Sequence, residues 1–155
     1  MTLEFAVDTS VLDHYPWRLR AGDDDVAAPL SCIADWTPAI LALIEDLRAG
    51  TPVGTIAARF HNMLAEMMVG VAEHVGQRRV ALTGGCFQNR VHTERCAARL
   101  REAGFRPYWH QRIPTNDGGL ALGQVAAWVR EHRHRNDVKN RFEPVSRRQK
   151  LVADC

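Results

Sequence analysis

The 155-residue sequence lacks the features that mark several large classes of protein. Its four cysteines include no C-x-x-C pair, which excludes the usual spacing of a zinc ribbon or a thioredoxin-like site. No apolar run approaches the roughly 20 residues that span a membrane, and the N-terminus lacks the regions of a signal peptide. A formal net charge of +2 is too weak to indicate nucleic-acid binding. We therefore expect a cytoplasmic protein with reduced thiols that binds neither nucleic acid nor membrane.

The composition instead favours one globular domain. Hydrophobic residues make up 46% of the sequence and charged residues 25%, which is typical of a folded domain long enough to bury a core. Basic residues are concentrated after Arg130, in a segment without apolar periodicity. We expect a domain over residues 1–131 and a basic, disordered tail over residues 132–155.

The first half predicts one strand and two helices. Alternation of Leu3, Phe5 and Val7 with polar or small residues is typical of a strand. Residues 13–35 contain several breakers of periodicity and predict loops with one short strand at most. Two helices should each start at a Thr-Pro pair, at residues 37–38 and 51–52, with the threonine hydroxyl as the cap. Their apolar positions recur with helical spacing until the glycines at positions 50 and 76.

Strands and helices alternate in the second half. An apolar strand at 80–83, expected to be covered on both faces, precedes a helix at 88–103. A strand at 105–109 and a helix at 120–130 follow. This order predicts an α/β layer with at least two parallel strands. The inward face of the last helix should contain four residues: Ala121, Val125, Trp128 and Val129.

A Gly-Gly pair follows the first of these strands directly. Gly84 and Gly85 would leave backbone amides uncovered at the start of a helix, where phosphate or ribose oxygens can approach. Asn89, in the first turn, adds an amide that can donate and accept hydrogen bonds. A tight βα connection without a ligand would use the same glycines, so both interpretations stand.

A second turn, at residues 114–119, contains Asp117 before Gly118 and Gly119. Its carboxylate could bind a metal or a sugar hydroxyl, or it could cap the following helix. Parallel strands place their βα turns on one edge of a sheet, where open α/β sheets bind ligands. The two turns are therefore expected to share that edge. His61 beside the second helix stripe and Cys86 after the glycines are secondary candidates, for which packing is the simpler role.

Three segments together resemble the C-terminal lobe of the HypF family, the carbamoyltransferases of NiFe-hydrogenase maturation. They are IAARFHN at residues 56–62, VALTGGCFQNR at 80–90 and PTNDGGLALGQ at 114–124. The segments occur in family order and at family-like spacing. The resemblance implies one lobe of an actin- and sugar-kinase-like (ASKHA) α/β fold, with a mixed sheet and flanking helices, similar to the tRNA threonylcarbamoyl-transfer enzymes.

The resemblance also implies a chemistry. ATP and carbamoyl phosphate would give a carbamoyl-adenylate, and the carbamoyl group would pass to the C-terminal cysteine of a hydrogenase-maturation partner protein. Gly84, Gly85 and Asn89 match the nucleotide-contacting loop of the family. Gly118 helps to shape the second turn, and Asp117 matches a ligand of a divalent metal over the phosphates.

The sequence departs from the family in one respect that matters for chemistry. The H-x-x-x-H pair that supplies further metal ligands is absent, because no two histidines are spaced i, i+4. We therefore expect an incomplete catalytic unit that works with a missing N-terminal lobe or as a homo-oligomer. One alternative is a non-catalytic relic or docking module that binds a nucleotide or a maturation partner. The other is an unrelated small α/β protein whose glycine turns are only structural.

Overall fold

The computed structural model describes residues 2–22 and 32–142, and it is a mixed α/β structure with small sheets and flanking helices. The helices are α1 (Thr2–Phe5), α2 (Thr37–Arg48), α3 (Val53–Val75), α4 (Arg90–Glu102) and α5 (Leu120–Phe142). The strands are β1 (Arg18–Ala21), β2 (Cys32–Asp35), β3 (Arg79–Leu82) and β4 (Arg106–Trp109), and two 3₁₀ turns lie at Gly85–Gln88 and Asp117–Gly119. The chain divides into two compact units, Met1–Asn116 and Asp117–Cys155.

The described strands form two separate pairs rather than the single mixed sheet that was expected. β1 and β2 are antiparallel, and β3 and β4 are parallel with Leu82 beside Trp109 at their carboxyl ends. The parallel pair confirms the expected βαβ order across α4. The expectation that β3 is covered on both faces is wrong. Leu82 is buried on one face, whereas Ala81 on the other is exposed.

The core of the first unit lies along α3, which packs against α4 on one side. Ala65, Val69 and Ala72 of α3 form a buried cluster with residues of β3 and α4, including the fully buried Leu100. A second cluster joins the other side of α3 to α2 and to the buried Tyr15. Small alanine side chains permit this close helix packing. The helix ends at Gly76, which has φ 72° and closes it in the left-handed conformation, as the sequence predicted.

A polar cluster ties the N-terminal segment to α2 and α3. The Tyr15 hydroxyl donates to Asp46 Oδ2 at 2.7 Å, and Arg59 Nη1 donates to the same oxygen at 2.7 Å. Thr51 Oγ1 donates to the other oxygen at 3.1 Å. These donors, Tyr15 first, lower the pKa of Asp46, while burial raises the pKa of Tyr15. The cluster positions the loop before β1 against the middle of α3.

The predicted N-terminal strand is wrong, because these residues form the short helix α1. Phe5 is 84% exposed, so the alternation of apolar residues does not reflect a buried face. The main-chain amides of Ala6 and Val7 donate to carbonyls three residues earlier. An alternation of only three apolar residues is too short to specify a strand without a partner.

The two helix starts are placed correctly, but the predicted caps are wrong. The residue before α2 is Trp36 and the residue before α3 is Pro52, and neither helix has a side-chain cap at that position. Asp35 instead accepts from the Thr37 amide at 3.0 Å. The Thr51 hydroxyl is used by Asp46, as described above. The carboxylates of Asp35 and Asp46 therefore accept hydrogen bonds from Thr37 and Thr51, and neither threonine hydroxyl caps its helix.

The last helix differs from its prediction in length and in exposure. α5 continues to Phe142 instead of ending near Arg130, and residues 143–155 of the predicted tail lie outside the described residues. Of the four residues predicted to face inward, Ala121, Val125 and Trp128 are exposed and only Val129 is half-buried. Among residues 117–142 only the preceding 3₁₀ turn lies beside the helix, so none of these residues covers the exposed Ala121, Val125 and Trp128.

Among residues 2–22 and 32–142, no helix is both long and apolar enough to span a bilayer.

Candidate functional site

The loop after β3 requires its first glycine for backbone reasons. Gly84 has φ 106° and ψ 164°, a region essentially restricted to glycine. Its amide donates to the carbonyl of Thr115 at 2.9 Å, which joins this loop to the one after β4. The next residue, Gly85, starts the first 3₁₀ turn without a positive φ. The loop is therefore a shaped turn that ends at the N-terminus of α4.

Gly85 is not required by the protein's own packing. A Cβ added at this position would meet no heavy atom within 4 Å, and the residue is exposed. Gly85 lies instead on the wall of an open cleft of about 370 Å³. The cleft walls combine α1, α3, the loop after β3 and the first turn of α4. The lining residues are Leu3, Glu4, Phe60, His61, Leu64, Gly85, Cys86, Gln88, Asn89 and His92. A side chain at Gly85 would reduce the open space at this wall of the cleft without contacting other protein atoms at its Cβ.

Asn89 lies between two histidines at the inner end of this cleft. Its Oδ1 accepts from the main-chain amide of His92 at 2.8 Å and so caps α4. Its Nδ2 is 2.8 Å from Nε2 of His61. His61 Nδ1 in turn lies 2.7 Å from the carbonyl of Ala57, one turn earlier in α3. We call this chain of hydrogen bonds, from the Ala57 carbonyl to the His92 amide, the relay.

The relay lies in a weakly hydrated environment. His61 is 3% exposed and His92 is 4% exposed. The His92 ring stacks on Phe87 with 5.3 Å between centroids, and its Nδ1 lies 3.5 Å from Cys96 Sγ. Burial first, and His61 second, lower the pKa of His92. Burial raises the pKa of the Cys96 thiol to about 12, so this cysteine is an unreactive packing residue.

Glu4 supplies a negative charge at the start of α4. Its Oε1 accepts from the main-chain amide of Arg90 at 2.6 Å, across 86 residues of sequence. A carboxylate is favourable at a helix N-terminus because the aligned peptide dipoles attract it. Glu4 and Asn89 together satisfy two of the first amides of α4, and the bond to Glu4 joins α1 to the start of α4 at the wall of the cleft.

The loop after β4 begins beside the first loop. His110, directly after β4, forms a hydrogen bond of 3.3 Å through Nε2 with the Thr83 hydroxyl after β3. Together with the contact between Gly84 and Thr115, this bond brings the loops after the two parallel strands onto one edge. The expectation that the loops after these strands lie on one edge is thus confirmed for the residues up to Asn116, the last residue of the first unit.

The other two predicted site residues lie in the second unit. Asp117 starts the second 3₁₀ turn, and Gly118 is its middle residue. Both are exposed. The structure therefore brings together Gly84, Gly85 and Asn89, and it places Asp117 and Gly118 at the head of α5.

Sequence reasoning missed three residues of the site, Glu4, His92 and His110, and it did not predict that His61 bonds to Asn89. Two local signals existed. Asn89 precedes His92 by three residues, which is the spacing of a helix cap, and His110 follows a strand directly. Glu4 and His61 are distant in sequence from their partners and had no such signal.

A family model described as "Carbamoyltransferase, Kae1-like Domain, second subdomain" matches residues 1–124. The chain belongs to the HypF carbamoyltransferase family. It is 34% identical over 122 residues to the carbamoyltransferase HypF of Synechocystis sp., covering 79% of this chain and 15% of that protein. It is 44% identical over 97 residues to the HypF of Rhizobium leguminosarum bv. viciae, covering 59% of this chain and 12% of that protein.

Solved HypF structures have the same fold in this region. A full-length HypF in its phosphate- and nucleotide-bound form superposes with a TM-score of 0.68 at 28% identity, over 79% of this chain and 16% of that one. HypF of T. kodakarensis superposes with a TM-score of 0.58 at 20% identity, over 80% of this chain and 15% of that one, which shows the fold alone. The chain thus spans a small part of the HypF proteins that it matches.

Proposed function

We propose that this chain is the nucleotide-binding lobe of a cytoplasmic HypF carbamoyltransferase. The enzyme would make carbamoyl-adenylate from carbamoyl phosphate and ATP, and it would transfer the carbamoyl group to the C-terminal cysteine of a hydrogenase-maturation partner. In this proposal Gly84, Gly85 and Asn89 contact ATP. Gly118 shapes the turn in which Asp117 contributes to a divalent metal site over the phosphates.

One observation carries the nucleotide part of the proposal. Gly85 lies on the wall of a cleft of about 370 Å³ although neither its backbone angles nor its neighbours require glycine. A missing Cβ at the N-terminal end of a helix is what close approach of phosphate or ribose oxygens needs. ATP itself would supply the adenylyl group, with pyrophosphate as the leaving group, and this loop would supply main-chain donors and shape.

The proposed divalent metal site needs ligands beyond the described residues. Within residues 2–22 and 32–142, no three His, Cys, Asp or Glu side chains are grouped so that they could hold a metal ion. Divalent cations need several oxygen or nitrogen ligands. Asp117 alone does not make a site, so we assign it as one ligand among others that a further lobe provides.

The incomplete site supports a lobe that works with another part of a HypF protein. Exposed apolar side chains on α2, Leu41 and Leu47, are 60% and 58% exposed. An apolar surface of this kind marks an interaction face. The same observations favour a second candidate function, a non-catalytic module that binds a nucleotide or docks a maturation partner.

Calorimetric titration with ATP and Mg²⁺ tests the nucleotide site. We expect weak binding by the 155-residue chain and none by Gly85→Val, because a branched side chain would fill the approach to the loop. The thermal midpoint should change little, because no protein atom lies within 4 Å of the new Cβ. Ala81→Val, which places the same valine side chain at an exposed position of β3, is the control and should bind as wild type does.

Equal binding by wild type and Gly85→Val would remove this loop from the site. A carbamoyl-transfer assay separates the two candidate functions. The chain alone should show no turnover, and turnover should appear when a separately expressed N-terminal portion of a HypF protein is added. Continued inactivity in that mixture, with ATP still bound, would favour the docking module. Turnover by the chain alone, abolished by Asp117→Ala, would contradict the incomplete site.

A further inference from the structure

Both ends of the relay impose a direction on its hydrogen bonds. The Ala57 carbonyl can only accept, so His61 Nδ1 carries the proton and donates at 2.7 Å. The Nε2 atom of the neutral ring is then an acceptor. At the other end, the His92 amide can only donate, so Asn89 Oδ1 faces it and Nδ2 faces His61. The two ends require the same arrangement, which leaves a single tautomer for His61 and a single orientation for Asn89.

We infer that His61 is a positioning residue that holds the side-chain amide of Asn89 in one orientation on the wall of the cleft. The cap to His92 determines which end of the amide faces α4. The bond to His61 holds the opposite end and so prevents rotation about the Cβ–Cγ bond. The role for ligand binding rests on the proposed function, whereas the orientation itself does not.

The fixed orientation has a consequence for any ligand in the cleft. An amide group has two N–H donors and two acceptor lone pairs, and the relay uses one of each. Asn89 is half-buried and lines the cleft, so one donor and one acceptor remain at defined places. A ligand with both kinds of polar group, such as a nucleotide, would meet a prearranged partner instead of a rotating one.

The same geometry argues against His61 as a base or a metal ligand. Both ring nitrogens are engaged, one by a main-chain carbonyl and one by Asn89. The ring is 3% exposed, although its edge contributes to the cleft wall. His61 thus acts through Asn89.

Nuclear magnetic resonance of the ligand-free chain at neutral pH tests the orientation directly. Long-range ¹H–¹⁵N correlations should show His61 protonated at Nδ1 and unprotonated at Nε2, with the signals assigned by their loss in His61→Gln. The side-chain amide of Asn89 should have a proton that exchanges slowly with solvent. That protection should disappear in His61→Leu and persist in His61→Gln, since glutamine retains an acceptor.

Calorimetry with ATP and Mg²⁺ tests the link to binding. We expect His61→Leu to bind about tenfold more weakly, which is the size expected from a misplaced hydrogen-bonding group. His61→Gln should stay within about threefold of wild type by the same relation. His74→Leu, at an exposed position of the same helix, is the control and should not change affinity. If His61→Leu does not fold, as judged by thermal unfolding, His61→Phe replaces it because it retains an aromatic ring without the acceptor.

Each outcome decides one of the two claims. Protonation of His61 at Nε2 in the wild type overturns the inference whether or not ATP binds. The expected tautomer together with equal ATP affinity in wild type and His61→Leu overturns the positioning role. Absence of ATP binding by the wild type contradicts the proposed function, while a protected Asn89 proton that is lost in His61→Leu still supports the fixed orientation.

Discussion

The loops after β3 and β4 resemble each other in sequence but differ in how they are held. Each follows a parallel strand, contains adjacent glycines and precedes a helix. The first loop is specified by the protein's own contacts, with Gly84 in a glycine-only conformation and Asn89 bonded at both ends of its amide. The second leads to Asp117 and Gly118, which are exposed at the start of α5, where Leu120, Leu122 and Val125 are also exposed.

The difference indicates which loop is prearranged for a ligand. A loop held by buried hydrogen bonds keeps its shape without a ligand and loses little entropy on binding. Asp117 is exposed, and among residues 2–22 and 32–142 no three ligand side chains are grouped to hold a metal, so its proposed role depends on further groups being supplied. We therefore expect substitution of Gly84, whose backbone conformation shapes the first loop, to change stability, and substitution of Asp117 in the second loop to change ligand affinity.

The largest effect should come from Gly84→Ala. A non-glycine residue at φ 106° and ψ 164° is strained, and the free energy of unfolding should fall by about 1–3 kcal/mol. Gly85→Ala should change it by less than about 0.5 kcal/mol, as is usual for an exposed position without special contacts. Urea denaturation of both variants measures the difference. Equal stabilities would mean that the first loop is not held as the structure indicates.

A smaller effect on binding is expected from Asp117→Asn. If Asp117 is a metal ligand, the variant should bind ATP about tenfold more weakly in the presence of Mg²⁺, which corresponds to about 1.4 kcal/mol. The thermal midpoint of the metal-free chain should hardly change. Asp117→Ala separates this role from a helix cap, whose loss would cost about 0.5–2 kcal/mol of stability. Lower stability without a change in metal dependence would favour the cap and weaken the contrast between the loops.

The smallest effect concerns the pH dependence of the free energy of unfolding, through His92 in the first turn of α4. The pKa of His92 is below its ordinary value of 6.5 because the ring is buried. Above pH 6.5 the ring is neutral in both the folded and the unfolded chain, so its full contribution to stability is present. As the pH falls below that value, the unfolded chain takes up a proton that the folded chain does not, and stability decreases until the folded pKa is passed.

Urea denaturation between pH 7.5 and pH 5 checks this slope. His92→Gln should have a shallower slope than wild type, because the titrating group is gone. His74→Gln, which removes an exposed histidine of α3, serves as the comparison and should leave the slope nearly unchanged. If the slope of stability against pH is identical in wild type and His92→Gln, another group than His92 causes the loss of stability in acid.

The correct predictions depend on interactions between residues close in sequence, and the incorrect ones depend on contacts between distant parts of the chain. The ends of α3 follow from local signals, because a Thr-Pro pair starts it and Gly76 closes it. The alternation of apolar residues around Phe5 predicted a strand incorrectly, because no described strand pairs with this segment and strand pairing is a non-local property. The predicted inward face of α5 was wrong for a similar reason. Helical periodicity shows which side chains share a face, but another element must be present to cover them.

The sequence by itself determined the order of helices and strands from α2 onward and the glycine turn at Gly84, since each depends on neighbouring residues. The alternation of strands and helices also predicted the parallel pair, because parallel strands need a crossover connection and a helix usually provides it. It also determined family membership, through three short segments in a characteristic order. Only the tertiary structure decided that Asn89 bonds to His61 and that Glu4 accepts from the first turn of α4. Those partners are separated by 28 and 86 residues. Their meeting depends on how helices pack, which fixes side-chain distances that no local pattern encodes.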